Sequence, residues 1–334
     1  MSALAIVTLA CAAASALFVL ALIARRVRLA RLEERRRRLL AQLRPAAIAL
    51  VEVQDAQPLD LSASEAEVFA ELLSRYARSL RGPEHGRIAA YFESTGAVDA
   101  QLRRLHSRLS WRRGAAAFAL GDMGAERAAP ELLRTLEDRN RDVRNAAVRS
   151  LGRLRSVEAI EPLVAAGVVR RVPRALSSAA LFEIGPTAVP RLRELVTHPD
   201  PDMRADAFEL LGLLGDAGDA DVLLGGLRDP AERVREASAD ALGRLGAADA
   251  RDALIDALHD GAPTVRAATA RALGQLGGDR AAAALLTVAG DADSGPASAA
   301  ARALARIDPQ RVIQAAQEPG ASPHLLEAAD LAAM

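Results

Sequence analysis

Residues able to bind a metal or act as nucleophiles are few in this sequence and lie far apart. The chain of 334 residues has a single cysteine, Cys11, so no disulfide can form within it. The five histidines are His85, His106, His198, His259 and His324. None has a second histidine three or four residues away, the spacing that places two ligands on one helix face. We therefore predict no catalytic residues, no metal site and no bound cofactor.

Charged residues, in contrast, recur at a regular interval. Six arginines follow one another at spacings of 30 or 31 residues: Arg113, Arg144, Arg174, Arg204, Arg235 and Arg266. An Asp lies six residues before three of them. In stacked repeats such an Arg can reach an acid or a carbonyl of the neighbouring unit and fix the spacing of the two. We predict this structural role for Asp138, Arg144, Arg204, Asp229, Arg235, Asp260 and Arg266.

The segments around these arginines share a helical pattern. In residues 142–152, DVRNAAVRSLG, the apolar residues Val143, Ala147, Val148 and Leu151 fall on one face of a helix. A glycine follows the equivalent leucine in most copies and leaves room for a neighbouring helix: Gly121, Gly152, Gly212, Gly243 and Gly274. Shorter apolar segments and turn residues lie between the copies. The repeating unit is therefore helix, turn, helix, turn.

This pattern resembles the bacterial HEAT-like repeats that are also called PBS-lyase HEAT-like repeats. The family motif is an Asp, then Val-Arg, then Ala-rich positions ending in Ala-Leu-Gly. The matching pairs are Asp138 with Val143-Arg144, Asp229 with Val234-Arg235, and Asp260 with Val265-Arg266. His198 replaces the Asp in one copy, and the copy at 172–185 departs most from the motif. The resemblance covers residues 97–308 and implies an α-solenoid.

The N-terminal segment 2–24 contains 23 residues without a charge. As a helix it would be ~34 Å long, enough to cross a ~30 Å hydrocarbon layer. A cleaved signal peptide and a lipoprotein modified at Cys11 are the alternatives. Both need a basic start and a short apolar core, and this run has neither. We predict an uncleaved transmembrane helix that contacts the lipid bilayer through residues 2–24.

A cluster of arginines follows this segment directly. Because arginines beside a span stay on the cytoplasmic side, we predict a single-pass protein of the inner (cytoplasmic) membrane, with its N-terminus outside and its solenoid in the cytoplasm. The residues assigned to topology or lipid contact are Arg25, Arg26, Arg28, Arg31, Arg35, Arg36, Arg37 and Arg38.

The predicted fold is all-α, with an N-terminal transmembrane helix followed by an α-solenoid of HEAT-like helix pairs. The expected domains are a transmembrane helix at 1–24, a basic juxtamembrane helix extension at 25–44, a helical N-terminal cap at 45–110, HEAT-like repeats at 111–308, and a C-terminal tail or capping helix at 309–334.

Charge and composition narrow the function classes. Residues 45–334 carry 34 Arg against 41 acidic residues, which weighs against nucleic-acid binding. Phycobilin lyases and di-iron hydroxylases share such repeats. The low aromatic content of 3% weighs against a tetrapyrrole pocket, and the lack of a His-Glu dipeptide weighs against a di-iron site.

We therefore predict a membrane-tethered scaffold or accessory subunit that binds another protein and has no enzymatic activity. A HEAT-like lyase, or another enzyme or ligand-binding protein, is the alternative. The layout resembles that of bacterial HEAT membrane proteins that accompany membrane enzymes, so a membrane-embedded enzyme such as a glycosyltransferase is the expected partner.

A candidate partner surface lies on the outward positions of the Arg-bearing helices. These positions are Asn145 and Arg149, Asp206 and Glu209, Glu236 and Asp240, and Ala268 and Arg271. The middle of the series is acidic, with Arg towards both ends, so a basic partner segment is expected. The candidate partner-binding residues are Arg149, Asp206, Glu209, Glu236, Asp240 and Arg271.

Overall fold

The computed structural model describes residues 3–52, 59–80 and 82–332, with side chains from residue 17 onward. These residues form helices and turns, and no strand occurs among them. The chain divides into two compact units, Met1–Arg103 with Asp122–Ala125, and Arg104–Gly121 with Glu126–Met334. The all-α part of the predicted fold is confirmed.

The first helix, α1, runs from Ala3 to Glu52. Within the described part of the chain, no helix is long and apolar enough to cross a membrane. Among the described side chains of α1, only residues 17–24 precede the first arginine, whereas a span needs about 20 apolar residues. The predicted transmembrane helix at 2–24 and the single-pass inner-membrane localisation are therefore wrong. The side chains of residues 2–16, on which that prediction also drew, lie outside the described residues.

The topology role predicted for the arginines after this segment is wrong, because it depended on the span, and their contact with lipid stays a prediction. They are Arg25, Arg26, Arg28, Arg31, Arg35, Arg36, Arg37 and Arg38, and all of them are exposed on α1. Two make ion pairs within the first unit. Arg36 pairs with Glu71, and Arg38 pairs with Glu34 at 3.0 Å.

The rest of the first unit is a small helical bundle. Helix α1 continues past Pro45 and packs on α2 (Ala63–Ala77) and α3 (Pro83–Ser94), which α4 (Ala97–Leu105) follows. Leu43, Ala47 and Val51 are buried on α1 at four-residue spacing, which places them on one helix face. The core contains fully buried Phe69 and Phe92.

The second unit is a stack of helix pairs, and this confirms the predicted solenoid. Its longer helices are α5 (Ser110–Asp122), α7 (Arg141–Arg153), α9 (Arg174–Ile184), α11 (Pro201–Leu214), α13 (Glu232–Leu245), α15 (Pro263–Leu276) and α17 (Ser294–Ile307). Shorter helices alternate with them: α6 (Ala129–Thr135), α8 (Ile160–Val168), α10 (Val189–Leu195), α12 (Ala220–Gly226), α14 (Arg251–Ala257) and α16 (Asp279–Val288). Helices α18 (Pro309–Ala316) and α19 (Pro323–Ala332) end the stack.

The core of the stack repeats from unit to unit. Leu151, Leu211, Leu242 and Leu273 are all fully buried at equivalent positions of successive copies. The glycine after the leucine allows close approach of the next long helix. A Cβ atom on Gly212 would lie 2.6 Å from the Cα atom of Ala241, too close for any side chain. The longer helices therefore pack backbone against backbone in this row.

Between α7 and α17 the row of longer helices is interrupted at one point. Helix α7 packs on α9, and α11, α13, α15 and α17 pack on one another in order, but the backbones of α9 and α11 do not pack closely, although the ion pair of Arg174 with Asp206 links them. Helices α8 and α10 contact α11 instead. Phe182 of α9 occupies the position that is Gly in the aligned copies, and it is 64% exposed. The break in the helix row thus coincides with the copy that departs most from the motif.

Candidate binding site at the interrupted repeat

A ladder of Arg–Asp pairs connects the regular repeats. In each pair Nε and Nη2 of the guanidinium donate to the two oxygens of an Asp 25 residues later, one repeat further along the stack. The pairs are Arg113 with Asp138 (2.7 and 2.8 Å), Arg204 with Asp229 (2.9 and 2.9 Å), Arg235 with Asp260 (2.7 and 3.0 Å) and Arg266 with Asp291 (2.7 and 3.0 Å). We call these four pairs the repeat ladder. Their two parallel hydrogen bonds have the geometry in which arginine holds carboxylates most firmly.

Each ladder arginine also holds the turn in front of its own helix. Nη1 of Arg235 donates to the carbonyl oxygen of Asp229 at 3.0 Å, while its other nitrogens bind the side chain of Asp260. One guanidinium therefore joins two successive turns. The hydrogen bonds from Arg235 lower the pKa of Asp260, and those from Arg113 lower the pKa of Asp138, although burial opposes both shifts. The pKa of Asp229 is lowered too: burial is the largest single cause and opposes the shift, but the hydrogen bonds from Arg204 and from the N–H of Ala231, together with the charges of Arg204 and Arg235, outweigh it.

The repeat ladder lacks its carboxylate at two positions. Val168 and His198 stand six residues before Arg174 and Arg204, where the regular copies have Asp. The Asp of a regular copy accepts the backbone N–H two residues later, and His198 keeps this contact, because its Nδ1 accepts a hydrogen bond from the N–H of Asp200 at 3.1 Å. Val168 has no polar atom on its side chain. The turn after α8 therefore offers no carboxylate to Arg144, the arginine of the preceding repeat.

Arg144 is the arginine left without its acid. Its Nε donates to the carbonyl oxygen of Arg171 at 2.9 Å, and its Nη1 donates to that of Asp138 at 2.8 Å. Among the described residues, no group accepts a hydrogen bond from its Nη2. Arg144 therefore keeps its contacts to the backbone but has a donor available to another molecule.

A cleft of about 800 Å³ opens beside this arginine. Six arginines and one carboxylate line it, together with the apolar residues 167–168 and 172–173: Arg141, Arg144, Arg170, Arg171, Arg174, Arg233 and Asp202. We call it the arginine cleft. Three of its arginines have acidic partners. Arg171 pairs with Glu137 at 3.0 Å, Arg174 pairs with Asp206, and Arg233 pairs with Asp202 and Asp206.

The structure corrects the expected position of Asp206. This carboxylate is not an outward-facing group, since it is only 6% exposed and lies between the guanidinium groups of Arg174 and Arg233. Ala268, also expected to face outward, is fully buried. Asp206 therefore belongs to the packing between α9, α11 and α13, where it pairs with two arginines.

The other expected partner-binding residues form no continuous acidic surface. Glu209 is exposed and lies 3.8 Å from Arg174, and Asp240 accepts two hydrogen bonds from Arg271 at 3.2 and 3.0 Å. Glu236 is half-buried, and its pKa is raised by burial and by the charge of Asp240. Arg149 is exposed on α7. Partner binding by these five residues stays a prediction.

Sequence reasoning did not identify the residues that form the interrupted site. Arg141, Arg170 and Arg233 lie outside the repeated Arg positions, and Phe182 occupies a position that is otherwise Gly. Two signals were present in the sequence. The copy at 172–185 departs from the motif, and His198 replaces an Asp. The first change lies in α9 itself, and the second lies in the turn before α11.

Comparison with known proteins agrees with this architecture. The family described as HEAT repeats matches residues 100–181, 170–242 and 220–305, which together cover more than half of the chain. The chain belongs to the HEAT-repeat family. A search of curated proteins finds no match for this HEAT-repeat chain.

The solved structures that match this chain include proteins of different kinds. The complex of CpcE and CpcF of phycocyanin lyase from Nostoc sp. PCC7120 is 24% identical, with 44% of this chain and 99% of that chain covered and a TM-score of 0.40. Human deoxyhypusine hydroxylase is 22% identical, with 80% and 96% covered and a TM-score of 0.33. An engineered protein is 20% identical, with 86% and 87% covered and a TM-score of 0.41. At these scores the likeness carries no conclusion about activity.

Proposed function

We propose that this HEAT-repeat chain is a protein-interaction scaffold, and that it binds its partner at the interrupted repeat around α9. The scaffold role includes no catalytic step. The observation that carries the proposal is the exposed side chain of Phe182, at a position that the neighbouring copies keep as buried glycine. HEAT repeats as a family support a role in protein interaction.

An exposed phenylalanine at a break in a regular stack is typical of an interaction site. Covering its side chain would contribute about 1.5–3 kcal/mol, and buried aromatic residues commonly dominate protein interfaces. Two further large apolar side chains are exposed nearby in the chain, Val169 at 60% and Leu213 of α11 at 50%. These residues give the interrupted repeat more exposed apolar surface than its packing within the stack requires.

The more specific expectation of a membrane enzyme such as a glycosyltransferase is not part of the proposed function. It depended on the layout with a transmembrane helix, and in the described residues no helix could span a membrane. The alternative of a HEAT-like lyase or another ligand-binding protein has no observation in its favour at the described residues.

The test is quantitative recovery of the partner after cross-linking in the native host, with the tagged full chain as bait. Phe182→Ser is compared with Val157→Ser, which also removes a half-exposed apolar side chain but lies outside the interrupted repeat. We expect stoichiometric recovery with the unchanged chain and with Val157→Ser, and a loss with Phe182→Ser at an unchanged melting temperature. Equal recovery with both variants would place the interface elsewhere. A purified chain that turns over a substrate would contradict the scaffold role itself.

A further inference from the structure

We propose that the arginine cleft binds an acidic peptide segment of the partner, whose carboxylates take the place of the acid that the repeat ladder lacks at Val168. This inference rests on the proposed scaffold function and adds the chemistry of the segment that is recognised. It also replaces the expectation of a basic partner segment with the opposite charge.

This chain already shows how the same arginine position binds a carboxylate. In Arg113, Arg204, Arg235 and Arg266, Nη2 donates to an Asp oxygen at 2.8–3.0 Å. In Arg144, which lines the arginine cleft, the corresponding nitrogen has no acceptor among the described residues. A carboxylate supplied by another molecule would accept the hydrogen bond from Nη2 that the ladder acids accept, while Nε keeps the carbonyl oxygen of Arg171.

Two further arginines of the cleft, Arg141 and Arg170, have no acidic partner among the described residues. Arg170 follows the C-terminus of α8 and has a φ of 53°. This left-handed conformation is energetically unfavourable for any residue other than glycine. The N–H of Arg170 donates to the carbonyl oxygen of Gly167 at 3.1 Å, in a turn where Gly is the usual residue. The fold would accept Gly at this position more easily than Arg.

Two of the cleft arginines lie at the N-termini of helices. Arg141 and Arg174 are the first residues of α7 and α9, where the helix dipole already presents partial positive charge. Arg174 and Arg233 pair with the same carboxylate, that of Asp206, and burial and the charge of Arg233 lower the pKa of Arg174. The arginines therefore gather positive charge at helix N-termini, where it destabilises the folded chain. Binding of an anion would offset this destabilisation.

The size and charge of the site favour a short acidic segment as the occupant. A volume of about 800 Å³ suits a few residues of peptide, and Val168, Val172 and Pro173 provide apolar contacts for side-chain stems. Residues 45–334 carry 34 Arg and 41 acidic residues, so the surroundings repel a long polyanion such as a nucleic acid. The positive charge is confined to the arginine cleft, so a short segment with a few negative charges matches it.

The experiment measures binding of a fluorescent short peptide of alternating Asp and Ala to the full chain, with an Asn–Ala peptide as the neutral control. A peptide with phosphoserine in place of Asp, and inorganic phosphate, form the other arms. The test variant Arg141→Ser with Arg170→Gly removes the two unpaired charges. The matched control is Arg302→Ser with Arg155→Gly. It removes two exposed charges outside the cleft, and Arg155 also has a left-handed φ, of 51°.

We expect the Asp–Ala peptide to bind the unchanged chain and the control variant, and binding to weaken at least about tenfold in the test variant. The melting temperature of the test variant should be equal or higher, because Gly relieves the backbone at position 170. Binding of the phosphoserine peptide without binding of the Asp–Ala peptide would overturn the assignment of carboxylates as the recognised groups.

Equal affinity of both variants, or binding of inorganic phosphate without binding of either acidic peptide, would overturn the inference. If Phe182→Ser still abolishes recovery of the cross-linked partner in that case, the scaffold function stands and only the acidic segment is wrong. If Phe182→Ser also leaves recovery of the partner unchanged, the proposed function fails as well.

Discussion

Arg204 binds Asp229 through two hydrogen bonds of 2.9 Å, and its third nitrogen donates to the carbonyl oxygen of His198 at 2.8 Å. The two charged side chains are 13% and 12% exposed, so water screens the pair poorly. One arginine thus ties together the turns before α11 and α13. The same arrangement recurs in the other members of the repeat ladder.

Loss of the Asp in such a pair should destabilise the stack. We expect Asp229→Ala to lower the free energy of unfolding by about 2 kcal/mol, because it leaves Arg204 part-buried without its carboxylate. Urea unfolding measures the change. The control is Asp252→Ala, whose partner Arg280 lies 2.7 Å away but whose pair is largely exposed, so the variant should behave like the unchanged chain. Equal effects of the two variants would show that the ladder contributes no more than a surface pair.

The repeat ladder also predicts how stability depends on pH. Hydrogen bonds from arginine lower the pKa values of Asp138, Asp260 and Asp291 in the folded chain. A carboxyl with a depressed folded-state pKa contributes stability above its unfolded pKa of about 3.9, and this contribution is lost as the pH falls through the folded-state pKa. We expect the melting temperature to fall steeply below about pH 4 and the Asp260→Asn variant to show a shallower fall. Parallel curves for the two proteins would argue against this linkage.

The close packing of the long helices can be tested with two glycines. A Cβ atom on Gly243 would lie 2.7 Å from the Cα atom of Ala272, so Gly243→Ala should destabilise by about 1–3 kcal/mol. On Gly225 of α12 a Cβ atom would meet nothing within 4 Å, so Gly225→Ala should stabilise by about 0.5–1 kcal/mol. Thermal melting of the two variants should therefore shift in opposite directions. A shift of the same sign would mean that the helices can separate at little cost.

The stack should also unfold locally when one core residue is removed. Leu242 is fully buried in α13, and Leu242→Ala should cost about 2–5 kcal/mol. Because each repeat contacts mainly its neighbours, amide hydrogen exchange should rise first in α11, α13 and α15. Helix α7 should keep its protection under conditions where α13 loses it. Uniform loss of protection along the chain would contradict nearest-neighbour stability.

The sequence by itself determined the repeat architecture. The interval of 30 or 31 residues between arginines, the buried leucines and the glycine after each of them are local features of one helix pair. Since each pair packs mainly on its neighbours, the same pattern specifies the same packing wherever it recurs. The hydropathy of residues 2–24 predicted a transmembrane helix, and that was wrong.

Only the tertiary structure decided which charges meet. Asp138 lies six residues before Arg144, yet its side chain binds Arg113 from the preceding repeat, and Asp206 is buried between Arg174 and Arg233. The arginine cleft likewise forms from side chains on different helices around the break beside α9. Periodicity gives the face of a helix on which a residue lies. The partner of a charge depends on distances between helices, and a change of one residue in the repeat length or a single Phe for Gly alters those distances.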